Sequence, residues 1–417
     1  MSILLKNVEL GRSRKDIYIQ DNIISEISKT INTEADHKLD CRNMAALPGL
    51  YNSHTHAAMT LFRGYADDMP LIEWLTKKIW PNEARLTEKE VYIGTRLACL
   101  EMIKSGTIFF NDMYWHLPGS FRAVSEMGIK AALSSVLIDN TGTSNTEEQK
   151  NKVKSEFSQF ANKNKNIIFA LGPHAPYTVS EELLIWCSEF AENNKLPIHI
   201  HLSETEKEVK DCISAKKMRP VEYLDNIGFL SSNVIAAHAV WLNEKEIDIL
   251  AKNNVTVATN PVSNMKLAVG RGFDHSMMSQ KGVNITLGTD GTASNNNLDI
   301  FEEMKFSALL HKFTSNNPAA STAQDIFRTA TINSAKAFGI NGGIIEEGKL
   351  ADIILVDLKR PELVPSHNLI SNIVYSANGS CVNTTICNGK ILMHDRKVEN
   401  EMEILESAEK IKEEFFE

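Results

Sequence analysis

The chain carries histidine and carboxylate residues whose types and spacing could bind a metal ion and move protons. His54 and His56 stand two residues apart, so in an extended segment both imidazoles project from the same face. Such a pair can offer two nitrogens to one divalent metal, although a pair of this kind alone is weak evidence. His201 and Asp290 are two further candidate ligands. Three histidines and one carboxylate would leave a coordination position open for water.

Hydrolysis at such a site would also need acid and base groups. A metal ion lowers the pKa of a bound water from about 15.7 to about 7, and the resulting hydroxide can attack an electron-poor ring carbon. A ring nitrogen must then gain a proton, and the water's proton must reach the departing ammonia. Glu204 suits the first task, and His238 and Asp290 suit the second. Glu204 also fits a helix start within residues 203–206, and both roles can hold together.

These residues follow apolar runs of strand length, which alternate with segments that carry helix signals. One such signal is the capping box Thr87–Glu90, with Gly106 as the stop. Eight strand–helix units predict an α/β fold of the (β/α)8 TIM-barrel type, in which the carboxyl ends of all strands share one mouth. An open doubly wound sheet would call for a glycine-rich phosphate loop after its first strand, and none is present. The eight runs are Met44–Leu50, Thr107–Asn111, Ala131–Ile138, Ile167–Leu171, Leu196–Leu202, Val234–Ala239, Val255–Thr259 and Ile285–Leu287.

Strand patterns also occur near both ends of the chain, including Leu4–Val8 early and Ala351–Asp357 and Thr384–Ile391 late. Neither group can bury a core by itself, so we expect them to combine into one small flanking β-sandwich domain. The predicted divisions are residues 1–46 and 345–397 for the two parts of this domain and 47–344 for the barrel. Residues 398–417 are predicted to form an amphipathic helix that packs on the body or on a subunit partner.

Composition excludes several classes of function. The chain has 44 Lys and Arg against 53 Asp and Glu, a formal net charge of −9, and no basic stripe that would favour nucleic acid as a partner. An apolar stretch long enough to span a membrane is absent, and the opening residues lack a signal-peptide pattern. The six cysteines are scattered without CxxC spacing, which indicates reduced thiols and a cytoplasmic location.

Other titratable residues invite a functional interpretation, but most have a structural one. His199 points inward two residues before His201, deeper in the same predicted strand, and the interpretation as an interior histidine is favoured. His174 lies in a rigid loop between two prolines, which slightly favours a binding role. The structural interpretation is favoured for the remaining candidates, His116, His311, Asp139 and Asp299.

Several segments resemble the 5′-methylthioadenosine/S-adenosylhomocysteine deaminases of the amidohydrolase superfamily. The His-x-His pair marks the superfamily, and the first-strand block with the Trp-Pro-x-Glu segment is narrower. The likeness covers nearly the whole chain, including Gly348–Asp357 in the late β-segment. The segments that carry it are Asn52–Asp68, Trp80–Ala84, His199–Thr205, Ala237–Leu242, Asn260–Leu267 and Leu287–Asn296.

The resemblance implies a cofactor and its ligands. In the family, the residues that match His54, His56, His201 and Asp290 hold one divalent metal ion. Zinc is the first choice, and iron or manganese is also accepted by three histidines and a carboxylate.

The resemblance also implies the reaction, a hydrolytic deamination at a cyclic amidine of an adenosine derivative. Glu204 would protonate N1 of the adenine while hydroxide attacks C6. His238 would orient the water and the tetrahedral centre, and Asp290 would pass the water's proton to the amine. Glu83 would bind the ribose hydroxyls and His174 would lie near the nucleoside. The products would be the inosine analogue and ammonia.

One departure from the family pattern bears on the substrate. Members that accept S-adenosylhomocysteine carry arginines near the end of the third strand, where they can grip the amino-acid carboxylate. This chain has Ser134 and Ser135 there, followed by Asn140–Asn145 without an arginine. A serine cannot replace a bidentate arginine–carboxylate contact without loss. We therefore expect a preference for 5′-methylthioadenosine, 5′-deoxyadenosine or adenosine over S-adenosylhomocysteine.

Two rival functions remain open at this point. A guanine, cytosine or pterin deaminase, or a triazine chlorohydrolase, could use the same scaffold, and Glu83 discriminates because a free base has no ribose hydroxyls. The second rival is a non-catalytic barrel kept as an oligomeric scaffold, which would be expected to lose metal ligands that this chain retains. A homo-oligomer is compatible with either reading.

Overall fold

Two β-sheets contain the strands of the chain. The computed structural model describes residues 1–69, 71–140, 142 and 145–416. One sheet has eight parallel strands paired in chain order, and the other has nine strands of mixed direction drawn from both ends of the chain. This architecture confirms the predicted α/β barrel with a small flanking β-domain.

The eight parallel strands form a nearly closed barrel. Each strand pairs with the next, and the eighth meets the first where the Asp290 N–H donates to the His54 carbonyl at 3.0 Å. Most of their residues are buried, as expected when helices cover the outside of a parallel sheet. The first to eighth barrel strands are Leu50–Thr55, Thr107–Met113, Lys130–Leu137, Ile167–Pro173, Ile198–Leu202, Val234–His238, Thr256–Thr259 and Asn284–Leu287.

Helices follow the barrel strands and cover the outside. No helix among the described residues is both long and apolar enough to cross a lipid bilayer. The α-helices are Leu71–Trp74, Trp80–Glu83, Glu88–Lys104, Leu117–Met127, Thr146–Phe160, Glu181–Asn194, Glu206–Lys216, Pro220–Asn226, Glu244–Lys252, Pro261–Lys266, His275–Gln280, Ile300–Thr314, Ala323–Thr329, Ile332–Ala337, Leu369–Tyr375 and Glu401–Phe416. Shorter turns of 3₁₀ type span Ala57–Phe62, Pro361–Leu363 and Gly379–Cys381, and a π-turn spans Leu75–Ile79.

The capping box predicted at Thr87 is confirmed. The helix Glu88–Lys104 begins directly after Thr87, whose side chain accepts a main-chain N–H while Glu90 reaches back to the Thr87 N–H. The helix ends before Gly106, which has a left-handed φ of 83°. Its core-facing side includes Val91, Gly94, Ala98 and Met102, which are all buried.

The first barrel strand was predicted at Met44–Leu50, and this placement is wrong. That apolar run divides at Gly49, so that Met44–Pro48 joins the nine-stranded sheet and Leu50–Thr55 begins the barrel. A side-chain carbon at Gly49 would lie 2.4 Å from Ile108 Cγ1. The chain therefore passes from one sheet to the other at a point where only glycine fits.

The nine-stranded sheet joins the two ends of the chain. The strand Met44–Pro48 pairs antiparallel with Ile353–Asp357, which in turn pairs with Val382–Cys387. The domain divisions at residues 46/47, 344/345 and 397/398 stay a prediction. The strands of this sheet are Ser2–Leu10, Ser13–Gln20, Ile23–Ser28, His37–Asp40, Met44–Pro48, Ile353–Asp357, Val382–Cys387, Lys390–His394 and Lys397–Val398.

The late strand predicted at Thr384–Ile391 is a hairpin instead. Its two arms are Val382–Cys387 and Lys390–His394. Asn388 and Gly389 between them have φ values of 50° and 72°, the pair of positive angles that a two-residue type I′ turn needs. The Asn-Gly dipeptide was the sequence signal for this turn.

The C-terminal helix, predicted at residues 398–417, spans Glu401–Phe416 and packs on the body of the same chain. Its partner is the helix Glu88–Lys104. Arg96 donates to both carboxylate oxygens of Glu403 at 2.9 and 2.6 Å. The buried apolar residues of the C-terminal helix are Ile404, Ala408 and Ile411.

A buried ion pair links the barrel to the flanking sheet and yields a prediction about stability. Lys130 at the start of the third barrel strand donates to Asp352, which also accepts the Asn388 N–H at 2.8 Å. The side chains of Lys130 and Asp352 are only 7% and 1% exposed. Lys130→Met leaves the carboxylate buried and unpaired, so we expect the free energy of unfolding to fall by about 3 kcal/mol in a urea titration.

The matched control is the double variant Lys130→Met/Asp352→Asn. Because asparagine is neutral and still accepts the Asn388 N–H, the double variant should be more stable than the single lysine variant. A double variant that is less stable than the single one would contradict this account of the pair.

Candidate active site

The candidate site lies at the mouth of the barrel, where the strands end. His54 and His56 come from the end of the first strand and His201 from the fifth, and His238 is the last residue of the sixth. Asp290 follows the eighth strand by three residues. The structure thus brings together the five residues that the sequence placed at strand ends.

Three imidazole nitrogens and one carboxylate oxygen converge in this cluster. The Nε2 atoms of His54 and His56 each lie 3.3 Å from Asp290 Oδ1. His201 Nε2 lies 3.3 Å from His56 Nε2. His238 also contributes a nitrogen within 4.8 Å of those of His54 and His201. The ligands of a metal ion lie close together in this way, with the lone pairs of their nitrogen and oxygen atoms directed at one point.

In His54, His56 and His201, the ring nitrogen that points away from the cluster already has a partner. His56 Nδ1 donates to the Met113 carbonyl at 2.6 Å and His201 Nδ1 to the His174 carbonyl at 2.8 Å. His54 Nδ1 lies 2.7 Å from His199 Nε2, whereas His54 Nε2 is buried without a hydrogen-bond partner. Anchored outer nitrogens and free inner ones are typical of histidines that bind metals. These residues therefore fit a divalent metal ion.

The carboxylate of Asp290 is fixed from several sides. Its Oδ2 accepts the hydroxyls of Ser263 at 2.7 Å and Ser294 at 3.0 Å, and its Oδ1 accepts the Gly291 N–H at 2.8 Å. Burial would raise the pKa of Asp290, but its contacts with His54 and His56 hold that pKa well below its usual value. Asp290 Oδ1 thus faces the cluster.

Glu204 and His238 face each other beside the cluster. Glu204 Oε2 lies 3.9 Å from His238 Nε2. Burial raises the pKa of Glu204, and His238 opposes this shift. The other nitrogen of His238, Nδ1, lies 2.9 Å from Asn264 Oδ1 and 3.2 Å from Asn260 Nδ2. A carboxyl group with a raised pKa next to an oriented imidazole can take part in acid–base chemistry.

His174 and Glu83 lie around the same mouth. The His174 ring is 4.7 Å from the His201 ring, and its Nδ1 lies 3.0 Å from Thr178 Oγ1. Glu83 ends the short helix Trp80–Glu83; burial raises its pKa, while the neighbouring Tyr114 hydroxyl lowers it. The Tyr114 ring in turn lies 6.4 Å from the His56 ring. Tyr114 thus lies near both Glu83 and the histidine cluster.

Several residues that contact this site were not assigned a function from the sequence. His199 was interpreted as an interior histidine, and it is one, but its partner is His54. Ser263 and Asn264 lie in a segment that carried the family resemblance without an assigned role. Glu208 carried no expectation, and burial raises its pKa to about 7. The period-two alternation that pairs His199 with His201 was the available signal.

Asp299 and Asp139 have the structural roles expected of them. Asp299 caps the helix Ile300–Thr314 by accepting the Phe301 N–H at 2.9 Å. Asp139 accepts the Ser180 N–H at 2.7 Å in a loop. His311 is buried against His275, with ring centroids 4.6 Å apart. None of these three contacts the cluster among the hydrogen bonds described.

The fold and the site together define a barrel hydrolase of the amidohydrolase class. A family model described as the amidohydrolase family matches residues 45–392. A 5′-deoxyadenosine deaminase from Methanoregula boonei is 49% identical over 413 residues, 98% of this chain and 93% of the relative. A 5-methylthioadenosine/S-adenosylhomocysteine deaminase 1 from Archaeoglobus fulgidus is 48% identical over 419 residues, 98% of each protein.

A solved structure agrees. An adenosine deaminase from Xanthomonas campestris with bound zinc superposes with a TM-score of 0.94 at 31% identity, over 100% of this chain and 98% of that one. The chain belongs to the amidohydrolase family and, within it, to the 5′-deoxyadenosine and 5′-methylthioadenosine/S-adenosylhomocysteine deaminases. The family resemblance of the sequence is confirmed, and the protein is an enzyme of the hydrolase class that acts on carbon–nitrogen bonds.

The contact between His54 and His199 predicts an effect on metal affinity. Burial lowers the pKa of His199 well below its usual value, so its neutral ring can accept the His54 Nδ1–H. His199→Phe removes this acceptor, and we expect metal affinity to fall by about 10–100-fold. Competition with a chromophoric chelator measures the affinity.

His199→Gln is the matched control, because the amide oxygen can accept the same N–H. It should retain more affinity than the phenylalanine variant. Equal affinities in the wild type and His199→Phe would show that the contact does not orient His54.

Proposed function

We propose that this enzyme hydrolytically deaminates a nucleoside with an adenine base to the inosine analogue and ammonia. The carrying observation is the convergence of Glu204 and His238 with three histidines and Asp290 at one barrel mouth. Relatives of 48–49% identity that are named deaminases of 5′-deoxyadenosine and of 5-methylthioadenosine/S-adenosylhomocysteine support the same substrate class.

His54, His56, His201 and Asp290 would hold one divalent metal ion, with zinc first and iron or manganese as alternatives. When bound, such an ion lowers the pKa of a water ligand and so supplies hydroxide at neutral pH. The zinc in the adenosine deaminase from Xanthomonas campestris supports the first choice.

Glu204 donates a proton to N1 of the adenine ring. Its raised pKa suits a group that must be protonated before the reaction begins. Proton gain at N1 draws electrons from C6, the carbon that the water attacks. His238, held at Nδ1 by Asn264, orients the attacking water with its Nε2. Asp290 accepts one proton of the water and delivers it to the amino group, which leaves as ammonia; the remaining hydroxyl proton is released as the C6 carbonyl forms, and Glu204 regains a proton for the next turnover.

Glu83 and His174 bind the sugar side of the nucleoside. Glu83 offers carboxylate oxygens to the ribose hydroxyls, and the Tyr114 hydroxyl lies beside it. His174 is held by Thr178 beside His201. The adenine would thus lie between the acid–base pair and the metal ligands, with its ribose toward Glu83.

The end of the third barrel strand bears on the 5′-substituent. Ser135 donates its hydroxyl to Glu156, and Ser134 is buried, so neither is arranged to grip a carboxylate. In the following loop, residues 141, 143 and 144 lie outside the described residues. We infer a preference for 5′-methylthioadenosine, 5′-deoxyadenosine or adenosine over S-adenosylhomocysteine.

Location and partners follow from composition. All six cysteines are unpaired thiols, which supports a cytoplasmic enzyme. The net charge of −9 argues against nucleic acid as a partner. We also propose that the chain can form a homo-oligomer and that it has no membrane partner.

Purified, zinc-loaded enzyme should deaminate 5′-deoxyadenosine or 5′-methylthioadenosine. The ultraviolet absorbance should then change from that of adenine to that of hypoxanthine. We expect Glu204→Gln to lower kcat by at least about 100-fold, because the general acid is lost. Metal content should be unchanged. A glutamine variant with wild-type kcat would remove Glu204 from the acid role.

Glu83→Ala distinguishes the rival base deaminases in the same assay. It should raise KM for the nucleosides, whereas an enzyme that acts on guanine or cytosine would be insensitive. Turnover of a free base in preference to every adenosine analogue would overturn the proposed function. A preparation that binds no stoichiometric metal would instead favour a non-catalytic barrel that serves as an oligomeric scaffold.

Substrate preference is tested by comparing kcat/KM values. We expect kcat/KM for 5′-methylthioadenosine to exceed that for S-adenosylhomocysteine by about tenfold or more. This is the loss expected when a carboxylate lacks one charge-assisted hydrogen bond. A value for S-adenosylhomocysteine equal to or above that for 5′-methylthioadenosine would refute the inferred preference.

A further inference from the structure

Glu208 is a buried carboxylate that the proposed chemistry does not use. It lies in the first turn of the helix Glu206–Lys216 and is 9% exposed. Its Oε1 accepts the N–H of Ser203 at 2.7 Å, and its Oε2 accepts the N–H of Glu204 at 2.8 Å. Both oxygens are thus used on the main chain of the loop that carries Glu204.

This pairing differs from that of an ordinary helix cap. A glutamate at the third helical position normally reaches back to the N–H of the capping residue. Glu90 and Glu246 do so, binding the N–H groups of Thr87 at 2.8 Å and Asn243 at 3.1 Å. Glu208 occupies the same position but passes over its own cap, Thr205, to the two preceding residues. Its contacts therefore hold the loop in addition to the helix end.

The loop that Glu208 holds has a strained backbone. Ser203 has a left-handed φ of 51°, and in the neighbouring strand-end loop His238 and Ala239 have φ values of 70° and 51°. Such angles cost about 1–2 kcal/mol each for residues other than glycine. They persist only where surrounding contacts hold them, so the geometry of this loop depends on contacts such as those of Glu208.

The two strained loops are joined to each other. The Ser203 carbonyl accepts the N–H groups of Trp241 at 2.8 Å and Val240 at 3.1 Å, and the Leu202 carbonyl accepts that of Ala239 at 2.9 Å. Glu208 thus holds one side of a turn whose other side is bonded to the loop of His238. The side chains that emerge from the two loops, Glu204 and His238, face each other at 3.9 Å.

We propose that Glu208 is a positioning residue that aims Glu204 at the ring nitrogen of the substrate through the Ser203 and Glu204 N–H groups. The inference rests on the proposed function in assigning Glu204 as the acid. Without Glu208, two buried N–H groups lose their acceptors, and the left-handed turn at Ser203 loses the contact that compensates its strain. Glu204 then samples orientations in which its proton does not reach the ring nitrogen of the adenine.

Glu208→Gln tests this proposal with little change in side-chain size. An amide has one acceptor oxygen, and its NH2 group would face an N–H donor, so one of the two contacts is lost. We expect kcat for 5′-deoxyadenosine to fall by on the order of 100-fold, as for an acid displaced by about 1 Å. KM and bound zinc should stay within about twofold of the wild type, a split that general unfolding does not produce.

Glu246→Gln is the matched control. Glu246 is buried at the third position of another helix, where it accepts main-chain N–H groups and the Arg219 side chain, and it makes no hydrogen bond to Ser203 or Glu204. Because its ion pair with Arg219 is weakened too, this variant should lose at least as much stability as Glu208→Gln and yet keep kcat within about twofold. An equal loss of kcat in both variants would reduce Glu208 to a structural residue and overturn the proposal.

The double variant Glu204→Gln/Glu208→Gln tests whether Glu208 acts through Glu204. If it does, the second substitution adds little to the loss of kcat caused by Glu204→Gln alone. A fully additive loss would overturn the proposal. Should Glu208→Gln fail to fold, Glu208→Asp retains both oxygens on a shorter side chain and should give a smaller loss of kcat.

Amide hydrogen exchange separates this inference from the proposed function. If the wild type deaminates none of the adenosine analogues, the proposed function fails, yet the loop can still be examined. Glu208→Gln should then speed exchange of the Ser203 and Glu204 amides by about tenfold or more, with the control unchanged. Unaltered exchange of both amides in that variant would refute the positioning of the loop by Glu208.

Discussion

The structure depends on placing several lone pairs against one another in a buried volume. A buried polar atom without a partner is costly, and this mouth gathers nitrogens of His54, His56 and His201 around Asp290. The arrangement is held because each imidazole is anchored by its outer nitrogen. Two of the anchors, the carbonyls of Met113 and His174, lie at the ends of the second and fourth strands. The register of the barrel strands therefore fixes the orientation of these histidines, and the barrel cannot shift without moving the site.

Several residues at the same mouth have a strained backbone. Ser203, His238, Ala239 and Asp290 all have positive φ angles without being glycine. Each lies at the end of a barrel strand or within three residues after it, where a side chain must turn inward rather than continue along the sheet. A sequence chosen for stability alone would place glycine or a relaxed turn at these positions. The fold thus gives up stability at its strand ends, and hydrogen bonds such as those of Glu208 and Ser263 compensate for part of it.

The sequence predicted those features that depend on local pattern. Alternation placed His54 and His56 on one face, and capping signals located the helix Glu88–Lys104 at its observed ends. The barrel followed from eight strand-like runs, and the reaction class came from the family resemblance. The features that escaped prediction depend on contacts between distant residues. The division at Gly49 arises from the approach of Ile108, and no local signal announces a neighbour that lies far along the chain.

The pairing of Met44–Pro48 with Ile353–Asp357 has a consequence for how the protein is made. The second strand leaves the ribosome roughly 300 residues after the first, which at about 5–20 residues per second takes on the order of 15–60 s. Throughout this interval the early strand exposes an apolar edge without its partner. The barrel can assemble during synthesis, but the flanking sheet is completed only after release of the late strands. Nascent chains of this fold therefore carry an open edge that the finished enzyme conceals.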